Sequence, residues 1–314
     1  MPSPFSKAVL IHNPKAGRGR RRQKELELAC DYLASRNIPV RLQETSGPGM
    51  ATELARQAAA AGFDLVIVCG GDGTVNEVVN GLAGTSTPLA LLPAGTGNIV
   101  AKELRLPWNV LRAARLIPEG EVRRIALGCA GGRYFLAVAG VGVDANIVYK
   151  LEARMKSSLG QLSYWLESLR QLFAYSFPTF RLVPLCGMDS PVEATFAVIG
   201  RTAHYGGPIR ITTGANLLAD DFEVVAFTAR WRIAFLLYLL GVWTGTLKSL
   251  PGVHFFRTTR LRCEAARTTR KNPNLYVECD GELSGQLPQD FLIVPDALSL
   301  VFPRPPVHRR EARL

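Results

Sequence analysis

The sequence has few cysteines and histidines, the usual zinc ligands, and they are scattered. Its 314 residues include six cysteines and four histidines, and no two cysteines show the C-x-x-C spacing of zinc or redox motifs. Small disulfide-held domains are secreted and dense in cysteine, whereas scattered cysteines fit a reducing compartment. The pattern argues against a zinc site and a disulfide scaffold, and we expect a cytoplasmic protein.

The sequence also lacks a hydrophobic run that could span a bilayer. The most apolar stretch, Ile233–Val242, has ten residues, whereas a membrane-spanning helix needs about 20. An apolar run near the N-terminus, Ala8–Ile11, is too short for a signal peptide. We expect no transmembrane segment, and we expect the 233–242 stretch to form a helix that is buried in preference to lying in lipid.

Acidic residues are outnumbered, with 26 Asp and Glu against 37 Lys and Arg and a formal net charge of +11. Such a surplus attracts anionic membranes, nucleotides or nucleic acid, but it can equally serve solubility. Two basic clusters, Arg18–Arg22 and Arg257–Lys271, could dock on anionic headgroups or remain solvated. Charge alone leaves these alternatives open.

Strand-like and helix-like patterns alternate through the first third of the chain. Strands are predicted at Ala8–His12, Val40–Gln43, Asp64–Cys69 and Leu89–Leu92, and helices at Arg21–Arg36, Ala51–Ala61 and Asn76–Leu82. This alternation predicts an α/β domain with a parallel sheet that is covered on both faces. Ligands bind such sheets at the carboxyl ends of the strands.

From about Arg123 the pattern changes to strands with few helices between them. The predicted strands are Tyr134–Ala139, Thr179–Val183, Ala194–Gly200, Glu223–Thr228, Arg260–Glu264, Leu275–Glu278, Phe291–Val294 and Leu298–Phe302. Helices are predicted at Tyr149–Tyr175 and Trp231–Leu247. We therefore predict a mainly antiparallel β-sandwich or open barrel. The expected domains are 1–124 and 125–296, with a tail of about 297–314 that packs back on the first.

Three glycine-rich segments follow predicted strands of the first domain, at 13–17, 70–74 and 93–98. Glycine lets the backbone approach a ligand closely, and adjacent N–H groups before a helix form an anion site. We expect one phosphate-binding surface, because the segments share one edge of the sheet. The GxxxxGK[ST] loop and the protein-kinase motifs are missing, which excludes a P-loop NTPase and a protein kinase. A GxGxxA match at Gly140–Ala145 lies outside any strand–helix–strand unit and is not interpreted as a dinucleotide site.

At these loops the sequence resembles the diacylglycerol kinase catalytic-domain family, which includes bacterial soluble lipid kinases and sphingosine kinases. The ordered motifs are HNPKAGRG (His12–Gly19), GGDGTVNEVVNGL (Gly70–Leu82), LPAGTGNIVAKEL (Leu92–Leu104), YGGPIRITTGANLLADDFEVV (Tyr205–Val225) and CDGEL (Cys279–Leu283). GGDGT alone is shared with NAD kinases and phosphofructokinases, whereas the ordered set is specific. The resemblance implies an NAD kinase/phosphofructokinase-like nucleotide-binding domain followed by a β-sandwich domain for the lipid substrate.

The resemblance also implies ligand contacts. Those to the adenine nucleotide are Asn13, Gly17, Thr45, Gly70, Gly71, Asp72, Gly73, Thr74, Asn76 and Thr96. Asp72 would help to organise Mg²⁺ and the phosphates. A second, structural Mg²⁺ would be bound by the Asp221 carboxylate and by backbone oxygens of Leu218 and Glu223. Phe222 stands where the family usually has glycine, which puts this site in doubt, because phenylalanine tolerates positive φ poorly.

Asp280 and Glu282 match the catalytic acidic pair of the family, with Asp72 as a third catalytic carboxylate. A lipid hydroxyl is a poor nucleophile until a positioned carboxylate accepts its proton, and we predict Asp280 as that base. Standing alone, Asp-Gly-Glu would be interpreted as a turn. Its place at the end of the ordered motifs favours the catalytic interpretation.

We therefore predict a lipid kinase that uses ATP and Mg²⁺, with diacylglycerol as the preferred acceptor. Phosphatidylglycerol and sphingoid bases stay open as acceptors. So do a soluble kinase of the NAD kinase kind and a catalytically inactive nucleotide-binding protein. The expected partners are ATP and a membrane lipid, with no nucleic acid, and family precedent favours a homodimer. The expected location is cytoplasmic, peripheral on the inner face of the membrane.

Overall fold

A computed structural model of the chain describes residues 4–14, 16, 19–142, 145, 177–186, 190–206, 209–266 and 275–304. Several predictions fall outside these ranges. The helix predicted at Tyr149–Tyr175 is one, the nucleotide contact Gly17 is another, and the chain after Arg304 is a third.

The N-terminal part is an α/β arrangement on a parallel sheet. Its elements are β1 (Ala8–His12), α1 (Gly19–Ser35), β2 (Val40–Glu44), α2 (Met50–Ala60), β3 (Leu65–Gly70), α3 (Asp72–Leu82), β4 (Leu89–Pro93), α4 (Ile99–Glu103) and α5 (Val110–Ala114). The strands pair in parallel in the order β2-β1-β3-β4. All residues of β3 and β4 are buried, as expected for strands covered on both faces. The predicted parallel α/β class is confirmed.

Helix α3 begins earlier than predicted, directly after the turn that follows β3. The predicted start was Asn76, whereas the helix starts at Asp72. Glycine and threonine are weak helix formers, so the sequence pattern did not reveal this first turn. The buried Val78, Val79 and Leu82 fix the helix against the sheet. As a result, the backbone N–H groups of the GGDGT segment lie at a helix N-terminus.

The rest of the chain is mainly antiparallel, as predicted. Its strands are β5 (Glu121–Ala130), β6 (Arg133–Phe135), β7 (Val138–Gly142), β8 (Phe180–Pro184), β9 (Val192–Ala194), β10 (Phe196–Gly200), β11 (His204–Gly206), β12 (Ile209–Arg210), β13 (Phe222–Phe227), β14 (Val253–Thr258), β15 (Arg260–Ala265), β16 (Tyr276–Cys279), β17 (Glu282–Gln286) and β18 (Gln289–Phe302). One sheet has the order β14-β13-β10-β7-β16-β17. It packs on strands of the other sheet through an apolar cluster that includes Val141, Phe180, Val224 and Leu261.

Four of the predicted strands differ from the structure in where a strand breaks. The predicted strand Tyr134–Ala139 is divided between β6 and β7, and Ala194–Gly200 is divided at Thr195, whose hydroxyl donates to the Phe227 carbonyl at 3.1 Å. Conversely, Phe291–Val294 and Leu298–Phe302 belong to the single strand β18, which has a bulge opposite β5. Gaps in the hydrophobic pattern do not distinguish a bulge from a break.

Strand β18 connects the two parts of the molecule. Leu300 pairs in parallel with Leu89 of β4, while other residues of β18 pair with β5 and β15. The end of the described chain therefore packs on the N-terminal sheet. The domain boundaries at 1–124 and 125–296 stay a prediction. Helix α6 (Arg232–Thr244) covers the outer face of the six-stranded sheet, shorter than the predicted Trp231–Leu247 because a 3₁₀ turn follows it at Leu247–Ser249.

Candidate active site

The glycine-rich loops after β3 and β4 approach each other closely. The N–H groups of Ala94 and Gly95 donate to the Gly70 carbonyl at 3.0 and 3.1 Å. A Cβ atom on Gly95 would lie 2.5 Å from the Gly71 Cα. Any residue other than glycine would therefore clash with the neighbouring loop. Gly71 itself has room for a Cβ, whose nearest atom would be 3.5 Å away. The two loops form one surface at the carboxyl ends of neighbouring strands.

Asp72, in the first turn of α3, joins this helix to the third glycine-rich loop. Its two carboxylate oxygens accept the N–H groups of Asn98 at 2.8 Å and Ile99 at 2.7 Å. Burial raises the pKa of Asp72 above its usual range, the two donors oppose that rise, and the charge of Asp280 adds to it. Asp72 therefore fixes the backbone of the third glycine-rich loop. It is also close enough to Asp280 for the two carboxylates to repel each other.

The remaining predicted nucleotide contacts lie at the same edge of the sheet. The Asn13 side chain donates to the Thr74 hydroxyl at 3.5 Å. Buried Thr45 directly follows β2, and its N–H donates to the His12 carbonyl at 2.9 Å. Thr96 is exposed in the third loop. These positions are mutually consistent with one ligand surface, and the nucleotide contacts themselves stay a prediction.

Asp280 is enclosed by four hydrogen-bond donors. Its carboxylate accepts the backbone N–H groups of Leu136 at 2.7 Å, Ala137 at 2.9 Å and Val138 at 3.0 Å, and the Asn76 amide at 2.8 Å. The break between β6 and β7 directs these backbone groups at one point. Burial raises the pKa of Asp280, and the donors oppose that rise. This carboxylate serves to join α3 to the β6–β7 and β16–β17 connections.

Glu282 is the member of the acidic pair that faces the glycine-rich surface. A Cβ on Gly73 would lie 2.9 Å from Glu282 Oε1, so the carboxylate lies against the first turn of α3. The Glu282 side chain is 33% exposed and pairs with Arg133. Arg133 also donates to the Asn76 side-chain oxygen at 2.9 Å. Glu282 thus has an accessible carboxylate beside the predicted phosphate position, whereas the Asp280 carboxylate is enclosed.

The sequence analysis missed two residues of this network, Arg133 and Asn80. The Asn80 amide donates to the Tyr134 carbonyl at 2.9 Å and accepts the Tyr134 N–H at 3.0 Å. Asn76 and Asn80 are four residues apart on α3, so they share one helix face. Two amides on one face of a helix that also carries the buried Val78, Val79 and Leu82 were the available signal. Nothing in the sequence around Arg133 indicated a role in the site, which this side chain reaches from strand β6.

Two acidic side chains at the predicted structural Mg²⁺ site contact other groups of the protein. The Asp221 carboxylate accepts Arg257 Nε at 2.7 Å and the adjacent guanidinium nitrogen at 2.5 Å. Glu223 Oε2 accepts the Gly214 N–H at 2.7 Å. Phe222 begins β13 and stacks on Phe135 with ring centroids 5.7 Å apart. Phe222 therefore has extended backbone, and the question of positive φ does not arise at this position.

A second guanidinium lies behind this loop. Fully buried Arg201 donates to the carbonyls of Leu217 at 2.8 Å, Asp221 at 3.2 Å and Ala126 at 2.9 Å, and to that of Ala219. Burial lowers the pKa of Arg201 to about 10, so it is charged at neutral pH. Two cationic side chains thus contact the Asp221 carboxylate and neighbouring carbonyls, whereas the backbone oxygens of Leu218 and Glu223 that were predicted to bind Mg²⁺ are not among their acceptors.

Within the described ranges, no three His, Cys, Asp or Glu side chains cluster in a way that could hold a metal ion. The structural metal predicted at Leu218, Asp221 and Glu223 would use one carboxylate and two backbone oxygens, and it stays a prediction. We derive no catalytic step from it.

Comparisons with known proteins bear directly on this site. Residues 7–130 match the profile of the diacylglycerol kinase catalytic domain, and residues 137–302 match that of the YegS C-terminal NAD kinase beta sandwich-like domain. The diacylglycerol kinase of Bacillus subtilis (strain 168) is 30% identical over 305 residues, which cover 96% of this chain and 97% of the relative. The chain belongs to the diacylglycerol kinase family.

Two further relatives agree with this assignment. A diacylglycerol kinase of Mycobacterium tuberculosis (strain ATCC 25618 / H37Rv) is 30% identical over 308 residues, 96% of each chain. The crystal structure of a diacylglycerol kinase from Bacillus anthracis str. Sterne superposes with a TM-score of 0.75 at 25% identity, covering 96% of this chain and 99% of that one. The family resemblance and the two-part fold inferred from the sequence are confirmed, and the chain is a member of a lipid kinase family.

The structure also bears on membrane topology. Of the helices in the described ranges, none is both long and apolar enough to cross a bilayer. This agrees with the hydrophobic run of only ten residues at 233–242.

Proposed function

We propose that the protein transfers the γ-phosphate of ATP to the free hydroxyl of diacylglycerol, giving phosphatidic acid and ADP. The observation that supports this most is the Glu282 carboxylate lying beside Gly73 in the first turn of α3. A proton acceptor next to a phosphate-binding turn is the arrangement that phosphoryl transfer to an alcohol requires. The choice of diacylglycerol rests on the names of the relatives.

The phosphates of ATP are proposed to bind over the N-terminus of α3. Unpaired N–H groups and the helix dipole favour anions at the start of an eleven-residue helix. A Cβ on Gly71 would meet the Gly95 Cα at 3.5 Å, in ordinary van der Waals contact. A Mg²⁺ ion that accompanies ATP would offset phosphate charge here, and the carboxylate oxygens of Asp72 are the ligand type it prefers.

The two members of the acidic pair are proposed to have different roles. Glu282, not Asp280, would accept the proton as the lipid oxygen attacks the γ-phosphorus and the bond to ADP breaks. Asp280 already accepts four N–H groups, so it would position Asn76 and the β6–β7 connection. Arg133 would orient Glu282 through their ion pair. This division revises the expectation that Asp280 is the base.

The reaction is tested by transfer of label from γ-labelled ATP to a panel of lipids in mixed micelles containing Mg²⁺. The panel holds diacylglycerol, phosphatidylglycerol and a sphingoid base, with NAD assayed separately. Label in diacylglycerol that disappears in Glu282→Gln supports the proposal. Label in another lipid changes the acceptor, and label only in NAD supports a soluble kinase. Absence of transfer to any acceptor contradicts the proposed activity.

Gly71→Ala should weaken ATP binding at least about tenfold, or 1.4 kcal/mol, without unfolding the protein. The backbone at Gly71 is extended, with φ −89° and ψ −177°, and an added methyl meets no atom closer than 3.5 Å. The methyl would instead occupy space proposed for phosphate. The measurement is titration calorimetry with Mg-ATP. Gly206→Ala, where nothing lies within 4 Å of an added Cβ, is the control, and equal ATP affinities for the two variants would contradict the phosphate position.

Peripheral contact with a membrane is part of this proposal, because the acceptor is a bilayer lipid. The expected homodimer and the location on the inner membrane face stay predictions.

A further inference from the structure

Helix α6 carries an exposed apolar face. The exposed apolar side chains recur at helical spacing, and Trp231 just before the helix adds to them. The set is Trp231, Ile233, Leu236, Leu237, Leu240 and Trp243. Trp231 is 79% exposed and Trp243 is 81% exposed. Soluble proteins rarely leave large apolar side chains grouped in this way, and such patches mark sites of interaction with proteins or membranes. We call this set the α6 face.

The opposite side of α6 fixes its orientation. Phe235 and Tyr238 are buried, and their rings pack on those of Phe177 and Phe227 with centroid distances of 4.3 and 5.1 Å. The expectation of burial for this stretch is therefore confirmed for these two side chains and wrong for Leu236 and Leu239, which are exposed. Because the inner side is anchored on the six-stranded sheet, the α6 face points outward in a defined direction.

Charge at the α6 face favours an anionic surface. The segment Arg232–Thr244 contains no acidic residue. Arg230 precedes the helix and Lys248 follows it, and their side chains are 64% and 58% exposed. Tryptophan at both ends, aliphatic residues between them and cations at the margins are the pattern of helices that lie in the bilayer interface.

We propose that the α6 face is the membrane-docking surface of this protein and lies in the headgroup boundary of a bilayer containing anionic lipids. Trp231 and Trp243 would sit at headgroup level, and the aliphatic side chains would contact acyl chains. Arg230 and Lys248 would contact lipid phosphates. The inference deepens the proposed function and rests on it for the choice of a lipid surface over a second copy of the chain.

The position of α6 relative to the candidate active site agrees with this role. Lys248 Nζ, just after α6, lies 3.9 Å from Glu223 Oε1. Glu223 pairs with Gly200, Gly200 pairs with Val138, and the Val138 carbonyl accepts the Asp280 N–H at 2.9 Å. Glu223, which Lys248 contacts, is therefore on the same end of the sheet as Asp280, and its backbone is about 14 Å away at about 4.8 Å per strand. A docked α6 would place the active-site end of the sheet near the membrane.

The test is co-sedimentation of the full chain with vesicles, using phosphatidylcholine alone or with one third phosphatidylglycerol. The double variant Trp231→Ser/Trp243→Ser should bind the anionic vesicles at least about tenfold more weakly than the parent. Trp108→Ser is the matched control, because Trp108 is 54% exposed but lies in the N-terminal part. It should bind like the parent.

Three outcomes decide the inference. Loss of vesicle binding in the double variant, with turnover of a short-chain diacylglycerol in solution unchanged, supports docking through α6. If the double variant loses vesicle binding but the parent protein phosphorylates no lipid, the docking surface is supported and the proposed function is rejected. Unchanged vesicle binding overturns the inference, and light scattering that then shows a dimer reduced to a monomer would assign the α6 face to a second copy.

Discussion

Glu282→Gln should lower kcat by about 10²- to 10⁴-fold, the range that positioned acid–base groups contribute. ATP affinity and the free energy of unfolding should change little. The amide keeps the shape of the side chain and an oxygen toward Arg133, but it cannot accept the hydroxyl proton. The Glu282 side chain is 33% exposed and that of its partner Arg133 is 30% exposed, so both remain in contact with solvent after the substitution. Initial-rate kinetics on diacylglycerol and urea unfolding measure the two effects separately.

A matched control for this substitution exists elsewhere in the chain. Glu264 is 38% exposed and pairs with Arg181 at 3.4 Å, outside the candidate site. Glu264→Gln should therefore retain full turnover. Near-parental kcat in Glu282→Gln would show that the proton acceptor is another group.

Asp280→Asn should differ from Glu282→Gln by losing stability as well as activity. An asparagine would turn an N–H₂ group toward some of the four N–H donors that now bind the carboxylate. Mismatched buried polar groups cost about 1–3 kcal/mol. Urea unfolding should show this decrease. A fully stable but inactive Asp280→Asn, beside an active Glu282→Gln, would restore Asp280 as the base.

Local patterns were sufficient for the parts of this protein that depend on local physics. Alternating strands and helices predicted the parallel sheet, because each element must bury its own apolar face. The glycine-rich segments were placed correctly at strand ends, and Gly95 shows why glycine is required there. The ordered motifs carried the family assignment.

The roles within the acidic pair could not be predicted, because they depend on contacts between distant segments. The donors to Asp280 come from Leu136–Val138, more than a hundred residues earlier. They converge only because the predicted strand Tyr134–Ala139 is broken. Nothing in the Asp-Gly-Glu motif shows that one carboxylate is enclosed and the other accessible.

The loop that includes Asp221 illustrates the same limit for metal sites. The family resemblance implied a cation at this loop, and the structure provides cationic side chains from outside the motif. Arg257 lies on the neighbouring strand β14, and Arg201 directly follows β10. A guanidinium can satisfy several carbonyls at once with its five N–H groups. Arg201 brings a positive charge to the carbonyls of Leu217 and Asp221, beside the residues predicted to bind Mg²⁺.

Arg201→Met should lower the free energy of unfolding by about 3–5 kcal/mol, as expected when one partner of a buried charged network is removed. The flexible apolar side chain fills part of the space but leaves the carbonyls of Ala126, Leu217 and Asp221 without their donor. Urea unfolding measures the change. Arg181→Met, at a side chain 36% exposed, is the control and should change stability by less than about 0.5 kcal/mol.

The same protein tests the metal prediction without any activity assay. If Arg201 and Arg257 hold the loop, EDTA should leave the Tm of the parent unchanged, and added Mg²⁺ should not restore Arg201→Met, because methionine supplies no metal ligand. A Tm that falls in EDTA and recovers with Mg²⁺ would instead support the metal site at Asp221, with Arg257 displaced from the carboxylate. The account in which the guanidinium groups alone hold this loop would then be wrong.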